Sequence, residues 1–129
     1  MTQKALAGLR ILLVEDEPLL AWDLEVALLA AGATVVGPAN TLEIGCALAR
    51  QRGLAAAILD VRLGREEVGP LAAQLSEIGV PFLFHTGHGN RHELAQRWAA
   101  PVVNKPTNPD VIIRNVASLV RAGEAAESL

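Results

Sequence analysis

The stretch Arg10–Pro18 has the sequence RILLVEDEP, and it joins a buried strand to the start of a helix. Four consecutive apolar residues, Ile11 to Val14, include β-branched residues on both sides of the leucines, which is typical of a strand covered on both faces. Pro18 suits the first turn of a helix, because its ring fixes φ and its missing N–H would have no partner there. The stretch therefore predicts the first strand-to-helix unit of a parallel sheet.

The same alternation of short apolar runs and helical segments continues along the chain. We predict strands at 10–15, 33–38, 54–60, 80–86 and 101–104. We predict helices at about 18–31, 42–53, 67–77, 90–99 and 109–121, followed by a frayed tail at 123–129. Five such units in series indicate an α/β fold with a doubly wound, five-stranded parallel sheet and helices on both faces. Trp22 and Trp98 are predicted to pack between helix and sheet.

Composition narrows the classes of function. The chain has 129 residues, of which 51% are hydrophobic, and a mean hydropathy of +0.32, which together exclude a disordered protein. A net charge of −3 argues against a nucleic-acid surface, and no apolar run is long enough to span a bilayer. The single cysteine, Cys46, cannot form an internal disulfide, which favours a cytoplasmic location. We expect one domain over residues 1–129, with a core at about 9–121 and no output domain.

Polar residues follow or end four of the predicted strands, whose carboxyl ends would meet at one edge of the sheet. The first predicted strand ends in Glu15 and Asp16, the third in Asp60, the fourth in Thr86 and the fifth in Lys105. Two unit negative charges about 5 Å apart repel by about 3 kcal/mol at a dielectric of 20, so three carboxylates require a cation or a raised pKa. Oxygen ligands without His or Cys favour Mg²⁺. Such a site can accept a phosphoryl group, and Asp60, alone at its strand end, is the predicted nucleophile.

Four motifs, in this order, resemble those of the receiver domain of two-component response regulators. They are ILLVEDEP at 11–18, LAAAILDVRLG at 54–64, PFLFHTG at 81–87 and VVNKP at 102–106. The resemblance covers about residues 9–120. It implies a flavodoxin-like sheet with strand order 2-1-3-4-5. It also implies that a histidine kinase or phosphotransfer protein donates a phosphoryl group to Asp60.

The resemblance implies roles for the remaining site residues as well. The Mg²⁺ ligands would be the carboxylates of Glu15, Asp16 and Asp60 and the backbone carbonyl of Arg62. Lys105 would pair with the phosphoryl oxygens, and Thr86 would move to donate a hydrogen bond to them. Pro106 would follow a cis peptide bond, which costs little before proline.

Two features depart from the usual pattern of the family. Val102 stands three positions before Lys105, where the family usually has an aromatic residue. The segment PFLFHTGHG resembles the signature of stand-alone receivers of the FATGUY type, with His85 in place of its alanine and Gly89 in place of its final aromatic. We expect a protein that is not an enzyme and is a monomer or weak dimer. Its output would pass through the surface of the fourth helix, fifth strand and fifth helix, with 87–100 as the switching segment.

Other functions are left open by the sequence. The protein could drain phosphoryl groups from another regulator, or it could be an interaction module with a vestigial site. A phosphatase of the haloacid dehalogenase type also forms an aspartyl-phosphate, but it needs a second Asp where Arg62 stands. His85, His88 and His92 could form a transition-metal site, although no Cys accompanies them and their spacing lacks the HExxH order.

Overall fold

Strands and helices alternate in a computed structural model of the chain, which describes residues 4–87 and 91–127. The strands of these residues are β1 (Arg10–Val14), β2 (Thr34–Ala39), β3 (Leu54–Leu59), β4 (Arg62–Leu63), β5 (Glu66–Glu67), β6 (Phe82–Thr86) and β7 (Val102–Asn104). Five of them form a parallel sheet in the order β2-β1-β3-β6-β7. Because β6 and β7 are the fourth and fifth strands of that sheet, the expected order 2-1-3-4-5 is confirmed.

Helices cover both faces of this sheet. They are α1 (Pro18–Ala30), α2 (Leu42–Leu48), α3 (Gly69–Glu77), α4 (Arg91–Trp98) and α5 (Pro109–Glu127). On one face, Leu24 and Leu28 of α1 and Ile112 of α5 pack in one apolar cluster with alternate side chains of β1, β3 and β6. On the other face, Leu71 and Leu75 of α3 belong to a second cluster, which α2 and α4 complete. In the described part of the chain, no helix is both long and apolar enough to cross a membrane.

Two helix starts have the side-chain caps that their sequences favour. The Thr41 hydroxyl accepts a hydrogen bond from the backbone N–H of Ile44 at 3.1 Å, at the start of α2. Before α5, the Asn108 side-chain oxygen accepts from the N–H of Asp110 at 2.9 Å. Such caps satisfy backbone donors that the first helical turn leaves without partners.

Element boundaries differ from the expectation in three places. The helix α5 runs to Glu127 and does not end near residue 121, because Glu and Ala follow Gly123 and one glycine costs only about 1 kcal/mol in a helix. The helix α2 ends at Leu48, several residues before the predicted end. The third helix was expected to start at Glu67, but Glu67 belongs to β5 of the antiparallel pair β4–β5, and α3 begins at Gly69. The predicted start of the fourth helix, at residue 90, lies outside the described residues.

The packing predicted for the two tryptophans is correct for one of them. Trp98 lies edge-on to Phe82, with 6.3 Å between the ring centroids, and packs against a core cluster. Trp22 is 62% exposed on the outer side of α1, so its predicted position between helix and sheet is wrong. The error arises because α1 is apolar on both sides, and the sequence does not show which side faces the sheet.

Candidate functional site

The carboxylates lie where the order of strands reverses. After β1 the chain forms β2 on one side of β1 and then crosses back to form β3 on the other side. The carboxyl ends of β1 and β3 therefore border a crevice. Glu15 and Asp16 directly follow β1, and Asp60 directly follows β3. The Asp60 N–H donates to the Val14 carbonyl at 2.9 Å, which ties the two strand ends together. One oxygen from each carboxylate lies within 4.8 Å of the others. Among the described residues no other set of three Asp, Glu, His or Cys side chains lies as close together.

The ammonium group of Lys105 connects two of these carboxylates. Its Nζ lies 2.7 Å from Oε1 of Glu15 and 2.9 Å from Oδ2 of Asp60. Lys105 directly follows β7, and its backbone N–H donates to the Thr86 carbonyl at 3.0 Å. The peptide bond between Lys105 and Pro106 is cis. Residues from three strand ends thus meet at one point of the sheet edge.

Burial and short contacts shift the pKa values of this group. Glu15 is 2% exposed, and burial, together with a hydrogen bond shared with Asp60, raises the pKa of Glu15 to about 7. Burial also acts to raise the pKa of Asp60, but hydrogen bonds from Glu15 and Lys105 outweigh it and lower this pKa. For Lys105, burial acts to lower the pKa, and the two carboxylates outweigh it and raise the pKa. The two acids therefore titrate as a pair, in which Glu15 takes up a proton more readily than Asp60.

The β4–β5 hairpin contributes backbone donors that sequence reasoning did not anticipate. The N–H of Gly64 donates to Oδ2 of Asp16 at 2.8 Å, and the N–H of Arg62 lies 3.4 Å from Oδ1 of Asp60. Gly64 has a φ of 62°, a left-handed conformation that glycine adopts without strain. A glycine four residues after a strand-ending aspartate is the signal that could have indicated this turn. The hairpin thereby orients the more open of the two acids that follow β1.

Thr86 and His85 are both buried at the end of β6. Thr86 is 1% exposed and His85 is 3% exposed. Neither ring nitrogen of His85 has a hydrogen-bond partner among the described residues, and burial lowers the pKa of His85 to about 4. His92 is exposed on α4, and His88 lies outside the described residues, so the described structure gives no support to a site of three histidines.

Comparison with known proteins identifies the fold. No protein-family model and no curated protein matches the sequence. A receiver domain protein from Methanospirillum hungatei matches with a TM-score of 0.82 at 21% identity, over 93% of this chain and 99% of the other. The receiver domain of HemR from Leptospira biflexa matches with a TM-score of 0.77 at 26% identity, over 88% and 94% of the two chains.

A third solved structure contains groups that bear on the acidic cluster. It is a response regulator from Burkholderia pseudomallei with a phosphorylated aspartic acid, a calcium ion and citrate. It matches with a TM-score of 0.75 at 25% identity, over 95% of this chain and 76% of the other. Topology and coverage agree, and the chain has the fold of the response regulator receiver domains.

Proposed function

We propose that this chain is a receiver domain that takes a phosphoryl group on Asp60 from a histidine kinase or a phosphotransfer protein. The observation that carries the proposal is the position of the Lys105 ammonium, in contact with both Glu15 and Asp60. A cation held against a buried acid pair at a topological switch point is the arrangement that phosphoryl transfer needs, because the transferred group carries negative charge.

In this reaction Asp60 acts as the nucleophile. Its lowered pKa keeps it ionised, so that an oxygen lone pair is available to attack phosphorus. The bond from phosphorus to the donor's imidazole nitrogen breaks as the bond to the Asp60 oxygen forms. The electron pair of the broken bond stays on the imidazole nitrogen. The Asp60 carboxylate loses its charge in the acyl phosphate, the phosphoryl oxygens bring their own negative charge into the crevice, and the Lys105 ammonium can pair with them while its contact with Glu15 persists.

Glu15, Asp16 and Asp60 fit a hard divalent cation, since they offer only oxygens and lie within 4.8 Å of one another. We propose that they bind Mg²⁺ together with the backbone carbonyl of Arg62, which begins β4 two residues after Asp60. Bound Mg²⁺ would neutralise charge on the phosphoryl oxygens. As a ligand, Glu15 would be ionised.

The response to phosphorylation would start at Thr86 and Lys105, which the backbone hydrogen bond between β6 and β7 already connects. We propose that the Thr86 hydroxyl donates to the phosphoryl group and that output passes through the surface of α4, β7 and α5. Val102, which is half-buried in β7, stands three residues before Lys105. This surface therefore has no aromatic ring at that position. We further propose a monomer or weak dimer in the cytoplasm, which the single cysteine supports.

The proposal is tested by incubating the protein with Mg²⁺ and acetyl phosphate and measuring its intact mass. We expect one phosphoryl group on the wild type and none on Asp60→Asn. Asp110→Asn is the matched control, because it makes the same change at an exposed aspartate of α5 and should leave labelling intact. Neutral hydroxylamine should remove the label, since it cleaves acyl phosphates and leaves serine and threonine esters unchanged.

Other outcomes point to the alternatives. Labelling that survives Asp60→Asn would place the acceptor elsewhere. An unlabelled wild type that still binds Mg²⁺ would favour a vestigial interaction module. Rapid, sustained turnover of phosphate esters would favour a phosphatase of the haloacid dehalogenase type.

A further inference from the structure

His85 is a buried histidine that the proposed phosphoryl transfer does not use. It is 3% exposed at the end of β6, and neither ring nitrogen has a hydrogen-bond partner among the described residues. Burying a polar nitrogen without a partner costs free energy, and buried polar side chains in folded proteins are nearly always hydrogen-bonded. A donor that reaches the ring in another state of the protein would account for this residue.

The strand register places His85 on the same face of the sheet as Lys105. His85 pairs with Val103 of β7. The N–H of Lys105 donates to the Thr86 carbonyl at 3.0 Å, so the ladder between the two strands continues one residue beyond β7. Because side chains alternate between the faces of a strand, Lys105 lies on the same face as Val103 and therefore as His85. The two residues are diagonal neighbours on adjacent strands, a separation that a lysine side chain can span.

Both carboxylates that contact the Lys105 ammonium lie on this face as well. Glu15 lies two residues after Leu13, which is in the apolar cluster that α1 and α5 cover. Asp60 lies two residues after Ile58 of the same cluster. The two carboxylates, the ammonium group and the imidazole ring are therefore on one face of the sheet, at its carboxyl edge.

The donors and acceptors of this group are complementary. The ring of His85 is uncharged near neutral pH, because burial and then the charge of Lys105 lower the pKa of His85 to about 4. A neutral imidazole has one nitrogen that accepts a hydrogen bond. An ammonium group has three N–H donors, and the contacts with Glu15 and Asp60 use two of them. The third donor can serve the ring of His85.

The proposed metal site gives the ammonium group a reason to use this acceptor. A divalent cation beside Glu15, Asp16 and Asp60 would repel the Lys105 ammonium, because like charges repel strongly in a buried crevice. The cation would also bind carboxylates with which the ammonium now pairs. The ammonium group then needs an acceptor that is not a metal ligand, since leaving it without one costs free energy. His85 offers such an acceptor on the same face of the sheet.

We propose that His85 is a positioning residue for Lys105, whose ammonium group donates a hydrogen bond to the His85 ring when a divalent cation occupies the acidic crevice. The ring would thereby keep the ammonium near Asp60. The inference rests on the proposed function, because it assumes the metal site. The contact itself joins two side chains of this chain and needs no phosphoryl group.

The test is ¹⁵N nuclear magnetic resonance of the histidine rings, recorded first with a chelator and then with saturating Mg²⁺. A ring nitrogen that accepts a hydrogen bond resonates at lower frequency than one that does not. We expect one His85 nitrogen, assigned by its loss in His85→Gln, to shift in this sense. The signals of His92, an exposed histidine of α4, are the control and should not move. Lys105→Met should abolish the shift, although calorimetry should still show Mg²⁺ binding.

The affinity for Mg²⁺, measured by calorimetry, is a second readout. His85→Leu removes the acceptor and should weaken Mg²⁺ binding by about three- to tenfold, the effect of one hydrogen bond. His85→Gln keeps an acceptor in its side-chain amide and should restore most of the affinity. His92→Leu, the same change on α4, should leave the affinity unchanged.

The inference is overturned if the His85 nitrogens do not shift at saturating Mg²⁺, or if the shift survives in Lys105→Met. Equal Mg²⁺ affinities of His85→Leu and the wild type would overturn it too. Phosphoryl uptake on Asp60 is measured separately by intact mass, so that with Asp60 labelled these results count against the role of His85 alone. A wild type that neither binds Mg²⁺ nor takes up a phosphoryl group would overturn the proposed function and this inference with it.

Discussion

Glu15 and His85 are buried ionisable residues whose pKa values are displaced in opposite senses. Burial raises the pKa of Glu15 from 4.5 to about 7, so the folded protein keeps a proton that the unfolded chain releases in this range. Burial lowers the pKa of His85 from 6.5 to about 4, so here the unfolded chain binds the extra proton. As pH rises, the titration of Glu15 lowers the free energy of unfolding and the titration of His85 raises it. Between pH 4.5 and 6.5 the two contributions oppose each other.

Replacing Glu15 by glutamine should reveal the contribution of His85. Without cations, the free energy of unfolding of Glu15→Gln should rise by up to about 3 kcal/mol more than that of the wild type as pH increases through this window. Urea unfolding in the presence of a chelator, followed by circular dichroism, measures the difference. Glu17→Gln, the same change at the exposed neighbour, serves as control and should leave the wild-type profile unchanged.

Replacing His85 by leucine should reveal the contribution of Glu15 to the pH dependence of stability. The free energy of unfolding of His85→Leu should fall relative to that of the wild type as pH increases from 4.5 to 6.5, because only the Glu15 contribution is left. The variant should also be more stable than the wild type at low pH, since two buried ring nitrogens without partners are removed. His92→Leu, at an exposed histidine of α4, is the control. Parallel profiles for His85→Leu and the wild type would contradict the assigned pKa of His85.

At the scale of elements, the junction between α4 and β7 contains backbone strain. Ala99 directly follows α4 and has a φ of 50°, and it is the one non-glycine residue with positive φ among those that the structure describes. Helices commonly end on a left-handed residue of this kind, and glycine is favoured there because it has no Cβ. The sequence offers no sign of this conformation, since alanine is ordinary within a helix.

Ala99→Gly should therefore stabilise the protein by about 0.5–1 kcal/mol, because relief of the left-handed strain exceeds the entropy cost of glycine. The control is Ala100→Gly, at a buried neighbour without positive φ, which should destabilise the protein by about 1 kcal/mol. Denaturant unfolding at pH 8 measures both. If the two variants shift the midpoint in the same direction, the left-handed conformation of Ala99 is wrong.

Short polar elements were harder to predict than apolar ones. A run of apolar residues predicts the strand β3, because a strand that is buried on both faces needs consecutive apolar residues. The hairpin β4–β5 has two residues in each strand, and its Arg and Glu side chains are exposed, so neither periodicity nor hydropathy indicated it. The hydrogen bond from Gly64 to Asp16 depends on that hairpin and could not be foreseen without it.

Over the whole molecule, stability should be distributed unevenly. Of the described α4 side chains, from His92 to Trp98, none is fully buried, whereas β3 has a continuous run of buried residues and lies between β1 and β6. We expect backbone amides of α4 to exchange hydrogen for deuterium through local opening, and those of β3 only on global unfolding. Exchange followed by nuclear magnetic resonance tests this, and equal protection of the two elements would contradict it.

The position of the site was predictable because it follows from topology, whereas its protonation was not. Once five strand-to-helix units were recognised, parallel strands had to bring Glu15, Asp60 and Lys105 to one edge. The raised pKa of Glu15 depends on distances of a few ångströms and on burial, which no pattern of residue types encodes. The exposed position of Trp22 was not predicted for a related reason, since both sides of α1 are apolar and only the tertiary packing determines which apolar side chains are covered.

The two tryptophans lie in different surroundings and can therefore serve as two distinguishable intrinsic fluorescent probes. The chain has no tyrosine, so its ultraviolet emission comes from Trp22 and Trp98. Trp22 is exposed to water beside the cavity that Glu15, Asp16 and Glu25 line. It should emit at long wavelength and be accessible to a soluble quencher. Trp98 lies against Phe82 and should emit at shorter wavelength and be shielded. Quenching can therefore separate events at the exposed side of α1 from rearrangements of α4 without any attached dye.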